Sequence, residues 1–380
     1  MIAAAGAAAA ENGVTATEIV FGQSAALSGP AEALGKGMQL GIQAAFEEAN
    51  RAGGVHGRTL SMTSLDDGYE PERAISNTRA LIDGNKVFAL IGAVGTPTSK
   101  AAQPIATQEN VPYLGAFTGA GFLRNPSLGN VINYRASYAQ ETEAWIKHLT
   151  EDLKYEKIAI LYQDDSFGRV GLDGVTAALE KRGMALAAKG TYQRNTTAVR
   201  TALLEIRKAK PEAVVMVGAY KPIAEFVKLA RKVKMDATFV NISFVGSNAL
   251  AQELGPEGSG VVITQVVPFP WDESVPVVAD YAKALKALDP AAEPGFVSLE
   301  GYMVGRMTIA ALEKAGPELT RDALLNTFYS GASFDLGGKT LSFGPDDVQG
   351  SDEVYLTIIK PDGSFLAVDD LNAVGTGSIK

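Results

Sequence analysis

Thr96 stands in Gly92-Ala93-Val94-Gly95-Thr96-Pro97-Thr98-Ser99, directly after the apolar run 88–91. Thr118 stands in Ala116-Phe117-Thr118-Gly119-Ala120, directly after the apolar run 111–115. Hydroxyls set among small residues are neutral donors. The small neighbours let backbone N–H groups approach the same oxygen atoms, and a helix N-terminus favours negative charge. Such a pair of loops suits holding a small anionic or zwitterionic molecule. Ordinary strand-to-helix turns use the same residue types, but two such loops from successive strands fit a binding cleft better than two unrelated turns.

The other residues able to do chemistry point away from catalysis. There are two histidines. His56 lies in a Gly-Val-His-Gly loop and His148 follows Lys147 on a helix; neither has a partner at metal-ligand spacing, and no Gly-x-Ser-x-Gly elbow occurs. Gly35-Lys36 lacks the glycine a phosphate-binding loop needs, since Pro30 occupies that position, and Gly168, Gly171 and Gly174 have the wrong spacing for a dinucleotide fingerprint. Asp66-Asp67 and Asp164-Asp165 have the chemistry to hold a cation at strand ends, but such pairs more often cap helices and set turns. No catalytic residue, cofactor or metal site is therefore expected.

The elements that must position Thr96 and Thr118 follow from periodicity. Residues 88–91 read as a strand buried on both faces, 101–108 as a short helix with Ser99 as its N-cap, and 111–115 as the next strand. Upstream, 18–23 is a strand, and Leu34, Met38, Ile42, Ala45 and Ala49 recur at helical spacing. Residues 60–65 form a second strand and 70–82 a helix. This strand-loop-helix repetition predicts an α/β fold with a doubly wound parallel sheet, and ligands bind such sheets at the carboxyl edge of the strands. The pattern restarts near Tyr134-Arg135-Ala136-Ser137. Strands at 158–162, 184–189, 213–217 and 239–242 alternate with helices, which predicts a second lobe of the same architecture. After a strand at 260–267, Pro268-Phe269-Pro270-Trp271 breaks the pattern. Helices at 277–288, 297–315 and 320–328 follow, and strands at 340–343, 354–360 and 365–368 end the chain.

The composition agrees. A chain of 380 residues is long for one core, and 46% hydrophobic with 20% charged residues is globular. The net charge of −9, with dispersed lysines and arginines, argues against a nucleic-acid partner. No apolar run reaches the roughly 18 residues of a membrane span. Cysteine is absent, which excludes disulfides and thiolate chemistry but does not fix the compartment. The first residues, MIAAAGAAAA, resemble the end of a secretory signal peptide without its basic start; a disordered alanine-rich arm reads the same way. Residues 1–16 are expected to lie outside the fold.

In order and spacing, several motifs resemble the type I periplasmic substrate-binding proteins of ABC transporters, in the branched-chain amino acid (Leu/Ile/Val-binding) family. They are Leu27-Ser28-Gly29-Pro30, Asn50-x-x-Gly53-Gly54-Val55-x-Gly57, Asp66-Asp67, Ile91-Gly92 with its Thr/Ser loop, Phe117-Thr118-Gly119-Ala120, Asp165-Ser166-Phe167-Gly168 and Glu300-Gly301-Tyr302. The resemblance spans about residues 18–368. It implies two lobes, 17–136 with 268–332 and 137–267 with 333–374, joined by a three-segment hinge around a ligand cleft. It also implies an exported, non-enzymatic, monomeric protein whose partners are a small carboxylate-bearing ligand and a membrane permease.

The resemblance further implies site residues. Thr96 falls at the first hydroxyl position, and Phe117, Thr118 and Gly119 lie on the second loop. Leu27 and Leu34 would wall the side-chain pocket. Phe167, Tyr220 and Phe244, at strand ends of the second lobe, would close over the ligand. In the family an acidic residue after a second-lobe strand pairs with the ligand ammonium, but here that segment reads Asn241-Ile242-Ser243-Phe244-Val245-Gly246. Phe167 also stands where many members have tyrosine. Glu300 is the replacement acid to consider. The expected ligand is an amino acid, branched-chain or other aliphatic; a non-amino-acid carboxylate or amide (aromatic acid, short amide or urea) is the alternative if no acid faces the cleft, and a ligand-sensing receptor of the same fold is the alternative role.

Overall fold

The computed structural model describes residues 11–372. The expected signal-peptide remnant at 1–10 lies outside them. Residues 11–16, by contrast, pack on the fold: Val20 donates its amide to Gly13 O at 2.8 Å, and the Arg321 amide reaches Glu11 Oε2 at 3.1 Å. The arm thus satisfies backbone donors that the first strand and a late helix leave over.

The first lobe is built from β1 (Glu18–Ala25), α1 (Glu32–Arg51), β2 (Thr59–Asp66), α2 (Pro71–Arg79), β3 (Ala89–Ile91), α3 (Thr96–Gln108), β4 (Tyr113–Leu114) and β5 (Val131–Ile132). Its sheet is parallel throughout, in the order β2-β1-β3-β4-β5. Strands β3 and β4 are short and wholly buried, as apolar runs covered on both faces must be. Leu34, Met38, Ile42 and Ala45 form the buried stripe of α1.

The second lobe continues with α4 (Tyr138–Glu151), β6 (Ile158–Gln163), α5 (Ser166–Glu180), β7 (Ala188–Tyr192), α6 (Arg200–Lys208), β8 (Ala213–Val217), α7 (Tyr220–Lys232), β9 (Thr238–Asn241), α8 (Ser247–Leu254) and β10 (Val262–Gln265). Its parallel part runs β7-β6-β8-β9-β10, the same winding as the first sheet. A capping box opens α4: Ser137 Oγ accepts from the Gln140 amide while the Gln140 side chain accepts from the Ser137 amide. This cap fixes the point where the chain leaves the first lobe.

The chain returns through α9 (Pro276–Leu288), α10 (Phe296–Ala315) and α11 (Arg321–Tyr329). Helices α9 and α10 pack on α1, and the Arg321 side chain donates to Phe88 O at 2.9 Å. The hairpin β11 (Ser333–Asp335) and β12 (Thr340–Ser342) stays with these first-lobe elements, since Phe334 and Phe343 pack against Phe328, tilted and edge-on, at 5.5 and 5.0 Å between ring centres. Asn133 next to β5 then pairs with residues 348–350. Only β13 (Tyr355–Ile359) and β14 (Phe365–Val368) join the second sheet, antiparallel beyond β10. The structure therefore places residues 333–350 against the first lobe, where the sequence reading had put them in the second. Burial of the two phenylalanines decides it.

Candidate functional site

The loops after β3 and β4 are zipped together. Phe117 donates its amide to Ala93 O at 2.8 Å and Gly95 its amide to Phe117 O at 3.2 Å. This brings Thr96 Oγ1 and Thr118 Oγ1 to 2.7 Å, both fully buried. The Thr118 amide donates to Ala116 O and the Ala120 amide to Thr118 Oγ1, so these two backbone donors are spent inside the loop. Gly119 accepts from the Tyr138 amide at 2.8 Å, and a Cβ there would come within 2.5 Å of Tyr138 Cδ1. The second loop thus rests directly on the first crossover to the other lobe.

Facing these loops, the second lobe presents aromatic rings. Asp165 caps α5 by accepting from the Phe167 amide at 2.9 Å, which turns Phe167 inward. Phe244, on the loop after β9, lies 4.6 Å from Phe167, 5.2 Å from Phe117 and 5.9 Å from Tyr69, ring centre to ring centre. Tyr138 completes the group at 5.4 Å from Phe167. All five rings are buried. Two further candidates, Leu34 and Tyr220, meet around Gly246, where a Cβ would come 2.5 Å from Leu34 Cδ2 and 3.8 Å from Tyr220 Cδ1. Leu27 stands apart: it is partly buried and its amide donates to Asp66 Oδ1 at 2.9 Å.

Beneath the rings lies a buried charge cluster. Arg135 Nη2 donates to Glu141 Oε1 at 2.9 Å and to Ser243 Oγ. Arg135 Nη1 lies 3.5 Å from Glu300 Oε1, and the guanidinium sits over the rings of Phe117 and Tyr138 at 5.2 and 5.6 Å. Burial alone would lower Arg135, but the Glu300 and Glu141 carboxylates outweigh it and hold the guanidinium charged. Burial pushes Glu300 up to about 7, against the pull of Arg135. Both Glu141 oxygens are occupied: Oε2 accepts from the Ser243 amide at 2.9 Å and from Thr264 Oγ1 at 2.5 Å, and Oε1 also accepts from Ser243 Oγ at 2.8 Å.

Two sheets with the same winding, their carboxyl edges face to face across hydroxyl loops and rings, are the architecture of a clamp. The family model described as periplasmic binding protein matches residues 18–364. The chain belongs to the type I periplasmic binding proteins, in the branched-chain amino acid family. A solved structure of a possible leucine/isoleucine/valine-binding protein from Rhodopirellula baltica SH 1 superposes with a TM-score of 0.88 at 40% identity, covering 93% of this chain and 96% of that one. The Leu/Ile/Val-binding protein homolog 3 of Brucella melitensis is 23% identical over 86% of this chain and 87% of its own length. The leucine-, isoleucine-, valine-, threonine-, and alanine-binding protein of Pseudomonas aeruginosa is 24% identical over 80% of this chain and 81% of its own. The family consists of binding proteins, and it implies a place outside the cytoplasm. Among the described residues no helix is long and apolar enough to cross a membrane.

In this binding protein the aspartate pairs are structural. Asp66 accepts from the Leu27, Ser28 and Gly68 amides, Ser28 Oγ and Arg73; against the raising effect of burial, these bonds hold its carboxyl well below the usual range. Burial pushes Asp67 up to about 6, opposed by bonds from Ser24 and the Tyr69 amide. His148 bonds Asp152 at 2.7 Å, and no group of three metal-ligating side chains occurs among the described residues. A cavity of about 880 Å³ opens from Thr96 toward solvent between the lobes, lined also by Lys100, Arg124, Ser137, Ser166 and Arg169. Sequence reasoning missed Tyr69, Arg135, Tyr138 and Glu141. Of these, only Arg135 carried a signal: a charged residue inside the predicted crossover.

Proposed function

We propose that this protein captures a small carboxylate-bearing solute between its lobes in the periplasm and delivers it to an ABC permease. The Thr96–Thr118 hydroxyl pair supports this reading: two buried hydroxyls 2.7 Å apart at the ends of β3 and β4, at the sheet edge where such folds take ligands. Closing the lobes over them excludes water and strengthens each polar contact. Release then requires only that the hinge open.

A thermal-shift panel on protein stripped of bound solute by unfolding and refolding tests it, with aliphatic, polar and aromatic amino acids, their des-amino acids, short amides and urea as ligands. A solute at about 100 times its dissociation constant adds about 2.7 kcal/mol of stability. A panel without any shift sinks the proposal. Delivery is tested by uptake of the identified solute in cells lacking this chain. The names of the Brucella and Pseudomonas relatives favour a second reading, in which the solute is a branched-chain amino acid.

A further inference from the structure

Tyr69 is held in a conformation that its residue type rarely adopts. It follows β2, it is 1% exposed, and its φ is +63°. A bulky side chain at positive φ is strained, and it persists only where the surroundings fix it. Asp67 Oδ1 accepts from the Tyr69 amide at 2.8 Å, and Asp67 is itself anchored by Ser24 Oγ at 2.8 Å. The ring lies on Gly95, at φ +103°, where a Cβ would clash with it. The hydroxyl accepts from Gln163 Nε2 at 3.2 Å. Because Gly95 immediately precedes Thr96, the Tyr69 ring and the Thr96–Thr118 hydroxyl pair rest on one loop.

The last of these contacts crosses between the lobes. Gln163 ends β6 and is 1% exposed. Its amide is oriented at both ends: Oε1 accepts from the Tyr192 hydroxyl at 3.3 Å, and Nε2 also donates to Asp165 Oδ2 at 2.7 Å. Arg194 holds the same Asp165 oxygen at 3.0 Å. Burial, with the Asp165 carboxylate adding to it, pushes the Tyr69 phenol up, so Gln163 meets a neutral hydroxyl. The Tyr69 ring also packs on second-lobe Phe244, 5.9 Å between ring centres.

Tyr69 thus has its backbone fixed in one lobe and its side chain bonded to the other. Rotation about the hinge breaks the Gln163 bond and the Phe244 contact together. The Asp67 and Gly95 contacts lie within the first lobe and survive that rotation. The residue is therefore presented in its strained conformation before the lobes meet, and little ordering is left to do when they close.

We propose that Tyr69 is a positioning residue for solute capture, a latch whose hydroxyl holds the second lobe closed over the Thr96–Thr118 pair through Gln163. The proposal rests on the cleft being a solute clamp and names the contact that sets its open–closed balance. The chain has no cysteine, so Glu109→Cys with Glu180→Cys places one spin label at the exposed end of α3 and one at the exposed end of α5, one per lobe. Double electron–electron resonance on the full chain then reads the separation of the lobes, in buffer and with leucine, 4-methylpentanoate, isobutyramide or urea as probe. Tyr69→Phe keeps the ring and should lower the ratio of closed to open molecules about two- to tenfold. Gln163→Met should do the same from the other lobe, and the double variant should lose less than the product of the two single losses. Far-ultraviolet circular dichroism should match the parent in both single variants. Unfolding of Tyr69→Phe overturns the inference, because the hydroxyl would then serve the fold and not closure. A ratio equal in parent and Tyr69→Phe overturns it and leaves the proposed function standing. Fully multiplicative losses overturn it too, since the two side chains would then act apart. A single separation shared by parent and variants also overturns it; only if the thermal-shift panel is flat as well does the proposed function fall with it.

Discussion

Arg194 of the second lobe reaches Glu70 of the first at 2.8 Å while its other terminal nitrogen holds Asp165 at 3.0 Å. The neighbouring Asn195 donates to Glu70 Oε1 at 2.7 Å and to Gly68 O at 3.0 Å. These contacts clasp the rim of the cleft, on the side of Tyr69, whose hydroxyl accepts from Gln163 at 3.2 Å. Glu70 is 44% exposed, so water and salt screen the pair, which is worth about 0.5–1 kcal/mol. Glu70→Gln should therefore weaken solute binding by about two- to fivefold, mostly through faster dissociation. Stopped-flow dissociation at low and high salt checks this. An unchanged off-rate at low salt would exclude the clasp from closure.

Thr118→Ala removes a hydroxyl that Thr96 Oγ1 and the Ala120 amide both use. Solute affinity should fall by about 1–3 kcal/mol, with a smaller loss in thermal stability because Thr118 stands on the loop after β4, outside the strands. Titration and melting on the same preparation separate the two. If Thr118→Ala binds as well as the parent, the hydroxyl pair is scaffolding.

These hydroxyls were legible because short apolar strands followed by glycine and threonine leave few alternatives: β3 and β4 must be buried, and their loops must leave at one edge. Thr96, Phe117, Thr118, Phe167 and Phe244 do converge. The strand β5 is two residues long, too short to show any periodicity. Tyr69 follows an Asp-Asp-Gly turn and adopts φ +63°, a conformation its own residue type does not announce. In the sequence Arg135 stood only as one residue of the stretch where the strand-helix pattern restarts. Its burial is set by Glu141, Ser243 and Glu300, two of them far away in the chain, and only the fold brings those three together. Glu300 was read as a partner for a ligand ammonium, and its nearest charged neighbour is Arg135.

Glu300 and Asp67 give the protein a pH signature. Burial raises Glu300 to about 7, against Arg135 and Arg124 and with Glu141 adding to the rise; burial raises Asp67 to about 6. Both folded-state values lie above the ordinary carboxylate range, so the folded chain keeps protons that the unfolded chain has lost. Stability therefore falls as pH rises from about 4.5 to 7, by on the order of 3 kcal/mol for Glu300. Glu300→Gln should remove the decline between about pH 6 and 7 and reduce it between about pH 4.5 and 6, where Asp67 still contributes. Urea midpoints measured from pH 5 to 8 read this directly. Parallel curves for parent and variant would mean Glu300 is ionised across the whole range.

Gly119 is where closure depends on a missing side chain. Its carbonyl accepts from the Tyr138 amide, and a Cβ would meet Tyr138 Cδ1 at 2.5 Å and Tyr138 N at 2.6 Å, so neither backbone nor ring can give way cheaply. Gly119→Ala should push the β4 loop from the first crossover and hold Thr118 away from the second-lobe rings. Overpacking of this kind costs about 1–3 kcal/mol, and since it acts on the closed state it should appear as roughly a tenfold or greater loss of solute affinity. Small-angle scattering should show a larger radius of gyration in the presence of solute than the parent shows, while far-ultraviolet circular dichroism stays unchanged. Gly121→Ala is the control, because a Cβ there meets nothing within 4 Å. Equal affinity in both variants would mean that the β4 loop and Tyr138 need not stay in contact when the lobes close.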